Sequence, residues 1–252
     1  MIIDTHCHLD DEKFDLDLDQ ILNSAYSDGI DKIVIPGASI KDLPKAVRIA
    51  HENKIVYFAV GVHPYEISDY SRSVLLNYIN DPKCVAVGEC GLDYYRFDGE
   101  VDKCKADQKA CFEDQINLAC EFNKPLIVHC RDANEDMYNT LKNTNLTGVL
   151  HCYNASELLL KLSDRFYYGI GGVLTFKNAK KLVEILPKIP LDRILIETDG
   201  PYLSPEPNRG KRNEPKWTKI IANKIAEILN LSVDEIEKIT TQNANELFKF
   251  KE

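Results

Sequence analysis

The residues of this chain that are best suited to chemistry are histidines and carboxylates placed where short apolar runs end. The first run ends in His6 and His8. Alternate side chains of an extended strand share a face, so these two imidazoles are predicted to point the same way, as a pair of metal ligands does. The pattern recurs at the ends of four later runs, at Glu89, His129, His151 and Asp199.

Four imidazoles and two carboxylates are enough to hold two divalent ions bridged by one carboxylate. Two ions about 3.5–4 Å apart can activate a water and stabilise both the attacking and the leaving oxygen. We therefore predict metal-assisted hydrolysis. Imidazole-rich sites suit Zn, Mn, Fe or Ni, whereas Mg prefers oxygen ligands. The sequence does not name the ion, and Zn, Mn, Mg, Fe and Ni all stay open.

The elements that must position these residues follow from the alternation of short apolar runs with amphipathic segments of helix length, which indicates a βα series around a parallel sheet. A (β/α)8 barrel needs about 250 residues, so we predict one such domain over 1–252. All strands of a barrel end at one face, where the six candidate residues would converge. Strands are predicted at 2–4, 32–36, 55–62, 84–89, 126–129, 148–151, 167–170 and 194–197. Helices are predicted at 18–27, 41–52, 71–79, 107–122, 135–142, 157–162, 179–186, 216–229 and 233–248.

Local signals support several of these boundaries. Ser232 followed by Glu235 is typical of a capping box that opens the last helix. Asn123 and Pro125 are expected to stop a helix before the fifth strand.

Composition and charge restrict the function classes. The chain has a net charge of −9 and 44% hydrophobic residues, with no apolar stretch near the ~20 residues that span a membrane. The negative charge argues against broad, non-specific binding to duplex nucleic acid. The N-terminal run lacks the features of a signal peptide, so we expect a cytoplasmic protein. We also expect a monomer that does not engage a membrane. The eight cysteines form no CxxC pair and are expected to be free thiols that pack rather than bind metal.

Seven segments, spread over essentially the whole chain, resemble the TatD family of metal-dependent deoxyribonucleases and follow the order of that family. The resemblance implies a TIM barrel of the amidohydrolase superfamily and a nuclease with divalent ions at the six positions above. The segments are DTHCH at 4–8, GVHP at 61–64, GECGLDYY at 88–95, PLIVHCRDA at 125–133, GVLHCY at 148–153, ETDGPYL at 197–203 and NRGKRNEP at 208–215.

Carried over residue by residue, the resemblance implies that His6 and His8 bind one metal and that His129 and His151 bind the second, with Glu89 as the bridge. Asp199 would bind the first ion and act as the general base, since a carboxylate beside the activated water can orient it and take its proton. Cys90 and Gly200 depart from residues that are common in the family, but both are conservative in size.

The sequence indicates the substrate-binding residues less clearly than the metal ligands. His63, after the third predicted strand, is expected to support the ligands or to touch substrate. Arg131 lies two residues past His129 and so on the same face, while Arg209 and Lys211 lie in the loop after the last strand, where barrels often bind phosphate. Tyr94 is a candidate for stacking on a base. Alternatively, these charged side chains lie on the solvated surface, and Tyr94 packs against a loop without binding substrate.

Three functions remain open from the sequence. The leading one is a deoxyribonuclease that degrades single-stranded DNA, with the resemblance suggesting removal of nucleotides from the 3′ end; RNA is a further possible substrate. The second keeps the metals but hydrolyses an ester or amide, for example as a deacylase of D-aminoacyl-tRNA or a cyclic-amide hydrolase. Many cyclic-amide hydrolases bridge their metals with a carboxylated lysine at strand four, where this chain has Glu89. The third is a non-catalytic binding protein, which an intact set of six ligands disfavours.

Overall fold

Eight parallel strands in sequential order form the sheet, which confirms the predicted (β/α)8 barrel. The computed structural model describes residues 1–251, so the last residue of the predicted domain lies outside the described residues. The barrel is nearly closed between its first and last strands, where the Thr5 amide donates to the Ile196 carbonyl at 3.1 Å and Cys7 pairs with Gly200. The strands are β1 Ile2–Asp4, β2 Ile30–Ile35, β3 Val56–Val60, β4 Cys84–Asp93, β5 Leu126–Arg131, β6 Gly148–Leu150, β7 Phe166–Ile170 and β8 Ile194–Ile196.

Helices surround the sheet, and most predicted helices have a counterpart. The predicted helix at 157–162 is wrong, because the chain forms only a 3-10 turn at Leu159–Leu162. A short apolar pattern is compatible with one turn of 3-10 helix as well as with an α-helix, so it does not specify which of the two forms. The α-helices are α1 Leu18–Ser27, α2 Leu43–Glu52, α3 Arg72–Leu76, α4 Val101–Phe122, α5 Asn134–Leu141, α6 Lys180–Ile185, α7 Thr218–Leu229 and α8 Val233–Phe248.

Capping chemistry explains where several helices begin and end. The predicted capping box of Ser232 and Glu235 is confirmed at the start of α8. Helix α4 begins six residues before the predicted start, because the Glu100 side chain accepts hydrogen bonds from the first free amides of the helix. It ends at Asn123, whose left-handed backbone at φ 50° turns the chain toward β5.

The apolar core consists of two layers, and one end of the barrel is closed. The larger layer lies between the strands and the helices. The inner layer fills the barrel with alternate strand residues, and Leu247 and Phe248 of α8 pack against it. Since α8 packs here, the opposite end of the barrel, where the strands reach their carboxyl termini, is the one left for a site.

Two further features concern the described residues as a set. Among residues 1–251, no helix combines the length and the apolar character that a membrane crossing needs. All eight cysteines are free thiols, as predicted.

Candidate metal centre

Strand alternation explains why the candidate residues face one another. Ile127 and Val149 belong to the inner layer of the barrel, so His129 and His151, two residues further along, also point inward at the open end. Leu195 is likewise an inner residue, four positions before Asp199. His6 and His8 point to the same side, with their Nε2 atoms 3.2 Å apart.

The position of Glu89 in the middle of this cluster depends on the glycine before it. Gly88 has a φ of 141°, which side-chain-bearing residues rarely adopt, and a Cβ there would lie 2.3 Å from the Ile127 carbonyl oxygen. Glycine therefore lets β4 approach β5 closely at this point. The side chain of Glu89 enters the barrel axis and is almost completely buried.

Each carboxylate oxygen of Glu89 faces a different set of imidazoles. Oε2 lies 3.2 Å from His6 Nε2 and 3.7 Å from His8 Nε2. Oε1 lies 2.8 Å from His129 Nδ1 and 3.3 Å from His151 Nε2. A carboxylate that divides its two oxygens between two histidine pairs has the geometry required to bridge two cations.

The candidate ligand atoms form three overlapping groups, within each of which all atoms lie within 4.8 Å of one another. Asp199 belongs to the group with His6 and His8, with its Oδ1 atom 3.6 and 3.5 Å from their Nε2 atoms. Within residues 1–251, none of the three groups contains sulfur. Burial raises the pKa of Cys130 and of Cys152 to about 12, so both thiols are protonated at neutral pH. The groups are His6, Glu89 and His151; His6, His8 and Asp199; and His63, Glu89 and His129.

Two carboxylates that sequence reasoning missed hold the outer nitrogens of the second histidine pair. Asp93 Oδ2 accepts from His129 Nε2 at 3.0 Å, and Glu197 Oε1 accepts from His151 Nδ1 at 3.2 Å. Carboxylates in this position fix the orientation of metal-binding histidines and make them better ligands. Alternation could have found them, since Asp93 lies four residues after Glu89 on one strand and Glu197 lies two residues before Asp199.

The inner and outer carboxylates together dominate the charge of the cluster. Burial opposes protonation of His151, but the charges of Glu89 and Glu197 outweigh it and raise its pKa well above the usual value. Burial also opposes protonation of His8, but the hydrogen bond to Asp199 and the charge of Glu89 outweigh it and raise the pKa of His8 to about 9. For His6 burial prevails, and the charge of His151 lowers its pKa further.

These features fit divalent cations. His129 and His151 each turn both ring nitrogens toward carboxylates, which requires either a doubly protonated ring or a cation between the inner nitrogen and Glu89. Although burial favours the neutral acid, the positive charge of His151 and hydrogen bonds from His129 and His151 hold the pKa of Glu89 well below its usual range. Cations can take the place of the histidine protons, because metal binding releases protons from its ligands.

His63 lies beside the cluster, where its hydrogen bonding suits a donor. Its Nδ1 accepts from the Tyr65 amide at 3.1 Å, which leaves the proton of the neutral ring on Nε2. Burial lowers the pKa of His63 to about 4, so the ring is neutral at pH 7. Nε2 lies 3.7 Å from Glu89 Oε1 and lines the cavity, where it can donate to Glu89 or to a bound molecule.

The remaining candidates for substrate binding lie in different environments. Arg131 is exposed, lines the cavity and stacks on Tyr95 with its guanidinium 3.5 Å from the ring centroid. Tyr94 lies outside the cavity lining and donates its hydroxyl to Asp136 at 2.8 Å. Arg209 covers the Phe176 ring at 4.3 Å, and Lys211 approaches Asn208; neither lines the cavity.

The cluster opens into a cavity of about 750 Å³ at the carboxyl ends of the strands. Its outer wall is strongly acidic, and Arg131 contributes a cationic group. The hydroxyl of Tyr65 donates to Asp93 and that of Tyr202 to Asp11, so both rings are held at the entrance. The acidic residues of the outer wall are Asp10, Asp11, Glu12, Asp42 and Glu66.

Comparisons with known proteins agree over nearly the whole chain. Residues 3–249 match the family model described as TatD related DNase. The chain is 40% identical to the uncharacterized metal-dependent hydrolase YabD of Bacillus subtilis, over 99% of both chains. It is 33% identical to the 3′-5′ ssDNA/RNA exonuclease TatD of Cronobacter turicensis, over 98% of this chain and 97% of that protein. The crystal structure of the Escherichia coli TatD homolog YJJV superposes with a TM-score of 0.88 at 29% identity, covering 99% of this chain and 98% of that one.

These matches, together with a barrel whose strand ends bring four histidines and two carboxylates into one cluster, show that the chain belongs to the TatD family of metal-dependent hydrolases.

Proposed function

We propose that this hydrolase is an exonuclease that removes nucleotides from the 3′ end of single-stranded DNA, using two divalent ions. The observation that carries the proposal is the division of the Glu89 oxygens between two histidine pairs. His6, His8 and Asp199 would hold one ion and His129 and His151 the other. When bound, such a pair activates water and stabilises the charge that develops on the phosphate oxygens.

The chain's own residues would divide the remaining work. Asp199 lines the cavity, and its pKa is lowered because hydrogen bonding to His8 and the charge of His151 outweigh burial, so it is ionised and ready to accept a proton. His63 Nε2 would donate to a phosphate oxygen. Arg131 lies at the cavity wall, where its planar guanidinium can pair with a second oxygen of the same phosphate.

The form of the cavity favours a chain end of a single strand over a duplex. The barrel mouth forms its floor and acidic residues form its wall. The cavity therefore has no continuous basic surface that could contact the phosphates of a double helix. The polarity of digestion rests on the likeness to the Cronobacter exonuclease. Eight free thiols favour a reducing compartment, and we place the protein in the cytoplasm on that ground.

Labelled oligonucleotides provide the test. With Mn or Zn supplied, we expect stepwise shortening of a linear single strand with a free 3′ end, little shortening when that end is blocked, and slow attack on a blunt duplex. A circular single strand should persist. Cutting of the circle at the linear rate would contradict the requirement for an end, and indifference to the 3′ block would contradict the polarity. Glu89→Gln protein serves as the control for contaminating nucleases.

The acidic wall favours a second candidate, an ester hydrolase whose substrate carries an ammonium group, such as D-aminoacyl-tRNA. Asp10, Asp11 and Glu12 line the cavity on one wall. Carboxylates on that wall would pair with a free amino group of the substrate. Release of an amino acid from charged tRNA, measured beside release of nucleotides under the same metals, distinguishes the two activities.

A further inference from the structure

The candidate metal centre lies at the junction of two cavities. A second cavity of about 500 Å³ opens on the β6 to β8 side of the first. Residues that line both cavities form the boundary between them, and they include predicted ligands of both ions. The shared residues are His129, Arg131, His151, Asp199 and Tyr202.

The two cavities differ in chemistry. The wall of the first is acidic, whereas the second is lined mainly by apolar groups, with Val173, Leu182 and Leu203 on its walls. Among the described residues that line the second cavity, Asp199 at the junction contributes the single carboxylate. A bond held at the junction therefore has one substituent in an acidic, open space and the other in an apolar one.

Several groups in the second cavity suit a flat heteroaromatic ring. The Tyr153 ring and the thiols of Cys130 and Cys152 offer polarisable surface, which packs well against aromatic faces. Asn154 is anchored by its Nδ2 group, which donates to the Cys130 carbonyl at 3.1 Å and to Asn134 at 2.8 Å. That leaves its Oδ1 atom to accept from an exocyclic amino group.

Two glycines contribute backbone to the lining of this cavity. Gly169 and Gly171 both line it. The volume falls within the 300–1,000 Å³ typical of small-molecule sites, and a mostly apolar lining with few polar groups is the usual character of such sites.

We propose that this second cavity, defined by Tyr153, Asn154, Val173, Leu182 and Leu203, binds the base of the terminal nucleotide while its phosphodiester lies at the metal centre. The inference rests on the proposed nuclease function and adds where the departing nucleotide is held. Arg131, at the boundary, is placed to pair with the phosphate between the two cavities. The scarcity of polar groups means that the cavity accepts any of the bases, since stacking tolerates every base.

Two oligonucleotides that differ only in their last residue test the proposal: one ends in an ordinary 3′ nucleotide, the other in an abasic tetrahydrofuran residue. Stacking of one base on an aromatic side chain strengthens binding by a factor of about 5 to 150. We expect wild-type protein to release the base-bearing residue faster by a factor in that range. Val173→Trp, which fills the cavity, should abolish the preference, and Val173→Ala, which leaves it open, should keep it.

A binding measurement separates this proposal from the nuclease function. Metal-loaded protein is titrated with 2-aminopurine deoxyriboside 5′-monophosphate, whose fluorescence is quenched on stacking. Quenching by wild type and Val173→Ala but not by Val173→Trp supports the base cavity, even if no oligonucleotide is hydrolysed. Hydrolysis of abasic and ordinary ends at equal rates, or an unchanged preference in Val173→Trp, overturns the base cavity and leaves the nuclease intact. Absence of both hydrolysis and quenching refutes both proposals.

Discussion

The carboxylate of Glu197 is expected to control metal affinity at the His129 and His151 position without touching a cation itself. Glu197 is fully buried, and its Oε1 atom accepts from His151 Nδ1 at 3.2 Å and from the Cys152 amide at 2.6 Å. Its Oε2 atom has no hydrogen-bond partner among the described residues. Glu197→Gln can therefore keep both hydrogen bonds on its amide oxygen while it removes the negative charge.

Loss of that charge should lower the pKa of His151 and make its inner nitrogen a weaker ligand. Removing such a carboxylate partner typically reduces metal affinity or activity 10–100-fold, or about 1.4–2.7 kcal/mol. The new amide group replaces Oε2 without an acceptor, which costs about 1–3 kcal/mol of stability. A domain stabilised by about 5–15 kcal/mol survives this loss, so the variant should fold.

A steric variant tests the same contact without removing the charge. A Cβ at Gly169 would lie 2.1 Å from Glu197 Oε2, so Gly169→Ala must push the carboxylate away from His151. Gly171→Ala is the matched control, because a Cβ there meets its nearest neighbours at 3.6 Å, an ordinary contact.

Metal affinity is measured by competition with a chromogenic chelator, together with kcat/KM on a linear single strand. Glu197→Gln and Gly169→Ala should both lose about 10–100-fold in affinity or activity, and Gly171→Ala should resemble wild type. If both variants keep a metal affinity and a kcat/KM within threefold of wild type, the carboxylate does not control the affinity of His151 for metal, and the reasoning is refuted.

Three further predictions concern the cluster itself. Glu89→Gln should abolish turnover while circular dichroism stays native, because the bridging charge sets both metal affinity and the charge at the reacting centre; activity within a few-fold of wild type would exclude the two-metal assignment. Asp199→Asn should retain appreciable metal by elemental analysis but lose rate, since its proposed role includes proton transfer; equal loss of metal and rate would leave it as a ligand only. Chelation should abolish activity and lower Tm by about 5–15 °C, as expected when ions present at 100- to 1,000-fold their Kd are removed from a domain of this size; an unchanged Tm and rate would show that the cluster holds no functional cation.

Much of the architecture could be predicted because it is encoded locally. The alternation of apolar runs with amphipathic segments specified eight strands, and Ser232 with Glu235 placed the start of α8. Strand alternation also predicted that His6 and His8 share a side, since two residues of one extended segment are related by backbone geometry alone. The segment at 157–162 failed because its short apolar pattern does not distinguish one turn of 3-10 helix from an α-helix.

The sequence by itself determined that six potential ligands stand at strand ends, and hence that a barrel would bring them together. Only the tertiary structure decided which atoms face which. Glu89 divides its oxygens between histidines from β5, from the end of β6 and from the segment after β1, and Glu197 reaches His151 across the barrel because Gly169 leaves room for it. Tyr94 turns toward α5, while its neighbour Tyr95 stacks on Arg131. Such contacts join residues 36 or more positions apart, and their geometry depends on the closure and register of the whole sheet rather than on any local pattern.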